Sequence, residues 1–501
     1  MGRCVMVFSS HLFLFYFLPG TLLLYYAMPP RGRHVVLTLL SYLFYGWANP
    51  LFVVLLLAST VIDYFCGLAI VARTPAWVGR FLRRPHLTDA WDVPLKPVGT
   101  DTRTRAQRVA LWVSVCTNLS LLGFFKYFNF ASDNINALAD LLGAPWLRFD
   151  LALRVTLPLG ISFYTFQSMS YTIDVYRGRA APLRSFIDFA CYVSMFPQLV
   201  AGPIIRFSEV ADQLLKREHT VAKFARGVAL ISVGLAKKTL LANPCGQVAD
   251  LVFDAVTVTT IDAWFGVIAY AFQIYFDFSA YSDIAIGLGL MLGFVFPKNF
   301  DSPYRARSIT EFWRRWHISL SSWLRDYLYI PLGGNRLGAG RSYFNLVIVM
   351  LLGGLWHGAA WNFVAWGGLH GALLALERTR RFQQPNRLPN VVRVGTTFGV
   401  LLVTWVFFRA ADLTSAVTYL GAMSGLVKPG PAAQLLGGVL YQPYYLLTVV
   451  AAAGIVWGAP QTWDWTRQLT PAKAVITIGL LTLSIAVLST QAYNPFIYFI
   501  F

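Results

Sequence analysis

The sequence predicts an all-α protein that crosses a membrane many times, and three observations support this fold class. The chain of 501 residues is 56% hydrophobic and only 13% charged, about half the charged fraction of a soluble domain. Its apolar residues form long unbroken runs, whereas a transmembrane β-barrel shows short alternating segments. Phe, Tyr and Trp make up 16% of the residues, as expected where aromatic rings fill a helical bundle and line its interfaces.

A series of apolar stretches is suited to membrane helices. The stretches are 7–28, 35–48, 51–72, 109–130, 155–176, 222–241, 263–292, 343–357, 361–376, 391–408, 437–457 and 472–490. Several are shorter than a simple crossing requires, so some must be tilted or half-inserted, and we predict about 10–12 crossings. The first stretch has no Ala-x-Ala cleavage site, so we interpret it as a helix and not as a signal peptide. We predict one domain over 1–501.

The run 186–205 differs from the other stretches because Pro197 and Gly202-Pro203 interrupt it. It predicts a re-entrant or broken helix, which is tolerated only where protein buries it. A secondary transporter would carry paired broken helices in two matching halves. This run has no evident mate, which weakens the transporter interpretation without removing it.

The formal charge of +18 follows from Lys and Arg in the loops between the apolar stretches. Segments 73–108, 177–184, 206–226, 298–341 and 378–393 are basic, and we interpret them as cytoplasmic. Segments 131–150 and 409–435 fit the opposite face, so both termini are predicted outside the cytoplasm. Since no basic patch lies beyond the membrane-flanking loops, we expect contact with anionic lipid and no binding of nucleic acid.

Several common classes of enzyme site have no support in the sequence. The five cysteines are scattered, without CxxC or Cys/His ligand spacing, so neither a disulfide framework nor a metal site is predicted. No serine nucleophile elbow, Walker loop, Rossmann glycine pattern or HExxH occurs in a supporting context. Hydrolase, ATPase and dehydrogenase functions are therefore disfavoured.

The stretch 293–341 is too polar to cross a bilayer and too aromatic for a solvated loop. Helical spacing places Trp313, Trp316 and Trp323 on one face and Arg314 and Arg325 near the other. This pattern predicts an amphipathic segment in the plane of the membrane interface. The turn 331–336 that follows it has cationic character.

Two histidines in apolar surroundings, His317 and His357, lie 40 positions apart. Glycines flank His357 and no acidic residue is near it in sequence, so a neutral imidazole would be available as a general base. On residue type alone, a structural core imidazole is the commoner case. We expect the arginines around His317 to lower its pKa. These arginines could also hold phosphate groups or anchor lipid headgroups. His370 is interpreted as a residue that packs between helices.

Carboxylates and hydroxyls also interrupt the apolar run around 273–283. Asp277, Ser279 and Asp283 predict a functional role or a buried pair, with Arg305 or Arg307 as the structural partner. The pair Lys237-Lys238 is interpreted as a helix-end anchor. His11, His34, His86 and His219 are interpreted as incidental.

These residues resemble the membrane-bound O-acyltransferase family, and within it the bacterial branch of alginate O-acetyltransferase membrane subunits. The resemblance lies in strings spread through the chain in order. They are 6–10, 157–167, 196–204, 277–283, the residues from 299 onward, 312–334, 355–358 and 493–496. Because these strings extend from one end of the chain to the other, the resemblance covers nearly the whole chain.

The resemblance implies a ring of tilted helices around a funnel or tunnel, with His357 as the principal catalytic residue and His317 as the second. It implies that an acetyl group from a cytoplasmic donor, such as acetyl-CoA, reaches a secreted SGNH-type acetyltransferase. The protein is expected in the bacterial inner membrane. No bound cofactor is expected. Acetylated cellulose, D-alanylation of teichoic acid, and a transporter or scaffold without catalysis stay open as alternatives.

A set of residues near these histidines is predicted to bind substrate. The members are Arg314, Arg315, Trp316, Arg325, Asn335, Arg336, Trp356, Asn362, Asp277 and Ser279. The arginines among them would form a cytoplasmic basic surface that attracts an anionic donor.

Overall fold

The computed structural model describes residues 6–71, 103–149, 154–379 and 388–496, and all regular elements in these ranges are helices. Two compact units are present, Met1–Val221 with Gly289–Phe296, and Ala222–Leu288 with Pro297–Phe501. The all-α prediction is confirmed, whereas the single domain stays a prediction. Most of the basic loop 73–108 lies outside the described residues.

The first unit begins with a π-helical turn, Phe13–Phe17, and continues in eight helices. They are α1 (Leu18–Ala27), α2 (Arg33–Gly46), α3 (Pro50–Ile70), α4 (Arg105–Leu141), α5 (Ile161–Arg177), α6 (Phe186–Ser194), α7 (Phe196–Leu199) and α8 (Phe207–Leu215). Asp63 of α3 is fully buried and accepts hydrogen bonds from Ser114 (2.6 Å) and Asn118 (2.7 Å) of α4 and from Ser168 of α5. This network joins three helices through one buried carboxylate, as buried polar groups require.

The predicted broken helix is confirmed as α6 and α7, which are separated at Met195. All residues from 189 to 205 are buried. A Cβ at Gly202 would lie 2.5 Å from the carbonyl oxygen of Pro197, so only glycine allows this close approach of the backbone. The irregular backbone is therefore surrounded by protein, as expected at membrane depth.

Two histidines interpreted as incidental belong to a polar cluster of the first unit. His34 Nδ1 lies 2.5 Å from Asp188, and Arg217 hydrogen-bonds both to the other nitrogen of His34 and to the Tyr25 hydroxyl. His219 Nε2 lies 2.9 Å from the same hydroxyl. The interpretation is corrected because the fold joins residues far apart in sequence.

The second unit holds the remaining helices. They are α9 (Val221–Ala236), α10 (Asn243–Phe253), α11 (Thr260–Met291), α12 (Ile309–Arg315), α13 (Ile318–Leu324), α14 (Ala339–His357), α15 (Trp361–Glu377), α16 (Asn390–Arg409), α17 (Leu413–Met423), α18 (Pro431–Leu440), α19 (Pro443–Gly458), α20 (Thr462–Trp465) and α21 (Pro471–Thr490). π-Helical turns at Lys237–Ala242 and Arg325–Tyr329 connect neighbouring helices.

Five helices in the described residues, α3, α4, α14, α16 and α21, are long and apolar enough to cross a membrane. Helices α18 and α19 meet at a bend of 69°, and they provide a sixth candidate crossing if the two together form one bent span. The other predicted crossings fall on shorter or more polar helices, such as the 17-residue α15 and α11, which contains Asp277. The chain is thus a multi-pass membrane protein, and the count of about 10–12 crossings stays a prediction.

Candidate active site

His317 lies at a break in the predicted interfacial helix. The structure divides this segment into α12 and α13, and His317 caps α13 with φ 43° and ψ 55°. A non-glycine residue in this left-handed region is uncommon and is often held there at functional sites. The predicted faces are confirmed, since Trp316 and Trp323 are buried and Arg314 and Arg325 are exposed, but one continuous helix is wrong.

Asn299 lies beside one ring nitrogen of His317. The amide oxygen of Asn299 accepts hydrogen bonds from the Ser319 N–H (3.1 Å) and hydroxyl (2.9 Å), and it lies 3.3 Å from His317 Nδ1. Because that oxygen only accepts, a hydrogen bond between it and His317 requires the proton on Nδ1. Nε2 then carries the lone pair, and it has no hydrogen-bond partner in the part of the chain that is described.

Burial keeps His317 neutral. The side chain is completely buried, and this loss of solvation lowers the pKa of His317 to about 3. The expectation that neighbouring arginines lower this pKa is wrong, because Arg314 is exposed and Arg315 hydrogen-bonds Glu311 at 2.8 Å. Burial therefore favours the uncharged form of this imidazole.

His357 is the last residue of α14 and is 6% exposed. Helix α14 packs against α15 through glycines, and a Cβ at Gly354 would lie 2.2 Å from the carbonyl oxygen of Phe363. A Cβ at Gly358 would collide with the Phe363 ring. The small residues around His357 therefore permit close helix packing, as predicted.

The two adjacent glycines Gly367 and Gly368 of α15 provide a test of this packing. A Cβ at Gly367 would lie 2.3 Å from the Met350 carbonyl oxygen, whereas one at Gly368 makes an ordinary 3.5 Å contact with Leu351. We expect Gly367→Ala to destabilise the protein by about 1–3 kcal/mol and Gly368→Ala to be nearly neutral. Thermal unfolding of both variants in detergent measures this difference, and equal midpoints would contradict it.

Trp356 lies beside both histidines. Its ring centroid is 6.2 Å from that of His317 and 4.9 Å from that of His357. The rings of Trp366 (5.3 Å) and Phe408 (5.1 Å) also meet His357 edge to face. Two imidazoles 40 positions apart are thus brought to one indole in an aromatic environment.

Two other predicted residues, Asn362 and Trp316, pack within the fold around the histidines. Asn362 donates to the carbonyl oxygens of Phe407 and Ala410 and joins α15 to the end of α16. Trp316 is buried in an aromatic cluster with Phe300 (5.1 Å). These two side chains stabilise the surroundings of the site.

The predicted cationic surface is partly occupied by internal contacts. Arg314 and Arg336 are exposed, whereas Arg325 pairs with Asp326 at 2.7 Å. Asn335 accepts a hydrogen bond of 2.6 Å from Arg378. Arg314 and Arg336 are therefore the exposed arginines of this predicted surface.

Asp277 and Ser279 are buried on α11. Asp277 pairs with Lys238 at 2.8 Å and Asp283 pairs with Lys237 at 2.7 Å, so the predicted arginine partners are wrong. The lysines are not helix-end anchors either, because both are buried within a helical run that continues into α10. Desolvated carboxylates require such partners.

Few features of the sequence indicate which residues contact the two histidines. Asn299 is 18 positions before His317, and Phe278 of α11 meets the His317 ring edge to face at 4.6 Å. Asn299 lies among other polar and charged residues, Lys298, Asp301 and Ser302, so its residue type alone does not single it out. Phe408, close to His357, belongs to an ordinary apolar helix and gives no signal.

Comparison with known proteins identifies the family of the chain. Residues 180–410, which include both histidines, match the model of the MBOAT, membrane-bound O-acyltransferase family. A "probable alginate O-acetylase" of Pseudomonas putida is 42% identical, over 99% of this chain and 100% of that protein. The protein of that name from Pseudomonas aeruginosa is 46% identical over 82% of this chain and 73% of its own.

The name of a third relative refers to a different polymer. The peptidoglycan O-acetyltransferase of Helicobacter pylori is 37% identical, over 84% of this chain and 80% of its own. Matches of this extent and identity establish common descent over most of the sequence. The chain belongs to the membrane-bound O-acyltransferase family and is an O-acyltransferase.

Proposed function

We propose that the protein moves an acetyl group from a cytoplasmic donor, such as acetyl-CoA, across the bacterial inner membrane for O-acetylation of an exopolysaccharide such as alginate. The acceptor is a secreted SGNH-type acetyltransferase that modifies the polymer outside. The observation that carries the proposal is the pair of buried histidines beside Trp356. The names of the relatives support acetyl as the group and alginate as the polymer.

In the proposed step, an acceptor hydroxyl attacks the carbonyl carbon of the acetyl thioester. His357 takes the hydroxyl proton as the new C–O bond forms, and the C–S bond then breaks to release the thiolate, which is protonated. The carbonyl end of α14 stabilises the imidazolium that develops on His357. His317, neutral and in contact with Asn299, supplies a second nitrogen lone pair beside Trp356.

The role of Asn299 is testable with two substitutions. Asn299→Ala removes the oxygen that holds the Nδ1–H tautomer of His317, so we expect turnover to fall by about tenfold or more, within the range of general acid–base catalysis. Asn299→Asp keeps an acceptor at this position and should retain most of the activity. Initial rates of acetyl transfer, corrected for protein level, measure both, and equal rates for the two variants would contradict this role.

The exposed arginines provide a test of donor binding. We expect the double variant Arg314→Ala/Arg336→Ala to raise the KM for the acetyl donor with kcat nearly unchanged, because these charges attract the donor without contact with the reacting atoms. Lys428→Ala is the matched control, since this exposed residue lies in the segment predicted on the opposite face. Normal transfer at limiting donor in the double variant would exclude the donor surface.

A further inference from the structure

The second unit contains a cavity of ≈ 280 Å³ that neither catalytic histidine lines. Helices α9, α11, α19, α20 and α21 contribute its walls. Most of the lining side chains are hydrocarbon, among them Ala236, Phe276, Val456 and Leu480. A cavity with this lining favours a hydrocarbon chain over a polar ligand.

The walls of this cavity continue into the apolar surface of the unit. Ile455 lines the cavity and is 40% exposed, and Ile478 of α21, near the lining residue Leu480, is 64% exposed. Helix α21 is one of the candidate membrane spans. An occupant would therefore enter from the bilayer, where the available hydrocarbon chains are those of lipids.

Cations hydrogen-bond the backbone at the end of the cavity that residues 456–465 line. Lys473 donates to the carbonyl oxygen of the lining residue Trp465 at 2.7 Å. Arg305 donates to the carbonyl oxygens of Val456 and Ala459, at 2.8 Å and 2.6 Å. In the described ranges, these two cations hydrogen-bond only neutral backbone oxygens.

Arg226 is a third cation at this end. It donates to the carbonyl oxygen of Trp463, next to the lining residue Thr462, and its Nε has no hydrogen-bond partner in the described part of the chain. The nearby Asp464 already pairs with Lys298 at 2.8 Å, and the lining residue Lys237 pairs with Asp283. A net positive charge therefore remains, which complements an anionic group.

We propose that this cavity binds one acyl chain of an anionic phospholipid, with the lipid phosphate beside Arg226 and Lys473. The cations belong near the loops predicted to be cytoplasmic, where the leaflet is rich in anionic lipid. Bound lipid would fill the space between α9, α19 and α21 and hold these helices together. The inference is independent of the proposed acetyl transfer, because no reacting group lies in the cavity.

Photo-crosslinking tests this site. The full-length protein is placed in nanodiscs with a trace of phosphatidylglycerol that carries a diazirine in its acyl chain, and labelled peptides are mapped by mass spectrometry. We expect labels at 233–241 and 455–465 that excess phosphatidylglycerol displaces better than phosphatidylcholine. Equal displacement by the two lipids, or displacement by acetyl-CoA or a long-chain acyl-CoA, would overturn the proposal.

Matched variants test where the acyl chain and the headgroup of the lipid bind. Leu480→Trp fills the cavity and should reduce labelling about tenfold, whereas Ile478→Trp on the exposed side of α21 should not. Ala459→Trp gives a second filled cavity if Leu480→Trp does not fold. Arg226→Gln should remove the preference for phosphatidylglycerol, with Arg341→Gln as the control. Unchanged labelling in both filled variants would overturn the proposal.

Discussion

Replacing His357 by Ala should abolish acetylation of the exopolysaccharide at a normal level of membrane-inserted protein. Loss of a general base lowers turnover by about 10²–10⁴-fold, which is below detection in most polymer assays. The measurement is the acetyl content of the secreted polymer, by NMR, in cells whose only copy of the protein is the variant. Protein level is determined in the same membranes.

A buried histidine without the proposed role is the matched control for this experiment. His370 of α15 is fully buried and accepts a hydrogen bond from the Trp313 indole at 3.2 Å. His370→Asn keeps an acceptor there, and we expect acetylation to continue. If the His357→Ala cells still acetylate the polymer, the histidines are structural and the transporter or scaffold alternative gains support.

Breaking the Lys238–Asp277 pair should produce the largest change in stability. Both side chains are buried, and Lys238 also hydrogen-bonds the carbonyl oxygen of Pro495. Lys238→Met leaves the Asp277 carboxylate desolvated without its cation, at a cost of about 3–5 kcal/mol. The free energy of unfolding in detergent measures this effect.

Two further variants separate loss of the pair from loss of packing. The double variant Lys238→Met/Asp277→Leu removes both charges and should recover most of the stability, since apolar replacements of a buried pair are often nearly neutral. Arg154→Met breaks an ion pair with Asp133 that is mostly exposed and should cost less than about 1 kcal/mol. A double variant no more stable than Lys238→Met would refute this account of the pair.

The features that the sequence predicts correctly are those with a local physical cause. Pro197 and Gly202 disrupt a helix wherever they occur, so the break between α6 and α7 is visible in the sequence. The glycines around His357 likewise indicate close packing between helices. Burial of both histidines follows from the apolar residues on each side of them.

The features that it does not predict depend on long-range packing. Lys237 and Lys238 end an apolar run, which is typical of a helix-end anchor, but a π-helical turn carries the chain onward into α10. Their carboxylate partners on α11 are therefore visible only in the fold. The left-handed backbone of His317 is also not visible in the sequence. It depends on Asn299, which lies far from His317 along the chain and contacts both its imidazole and Ser319.

The most direct test of a shared histidine site is single-turnover transfer of radiolabelled acetyl from acetyl-CoA to an acceptor hydroxyl by the purified protein in nanodiscs. We compare His317→Ala, His357→Ala and the double variant with the unmodified protein. Groups that act as a unit are not additive, so each single variant should lose transfer and the double variant should lose no more than His357→Ala. Transfer at the unmodified rate in the double variant would contradict the shared site.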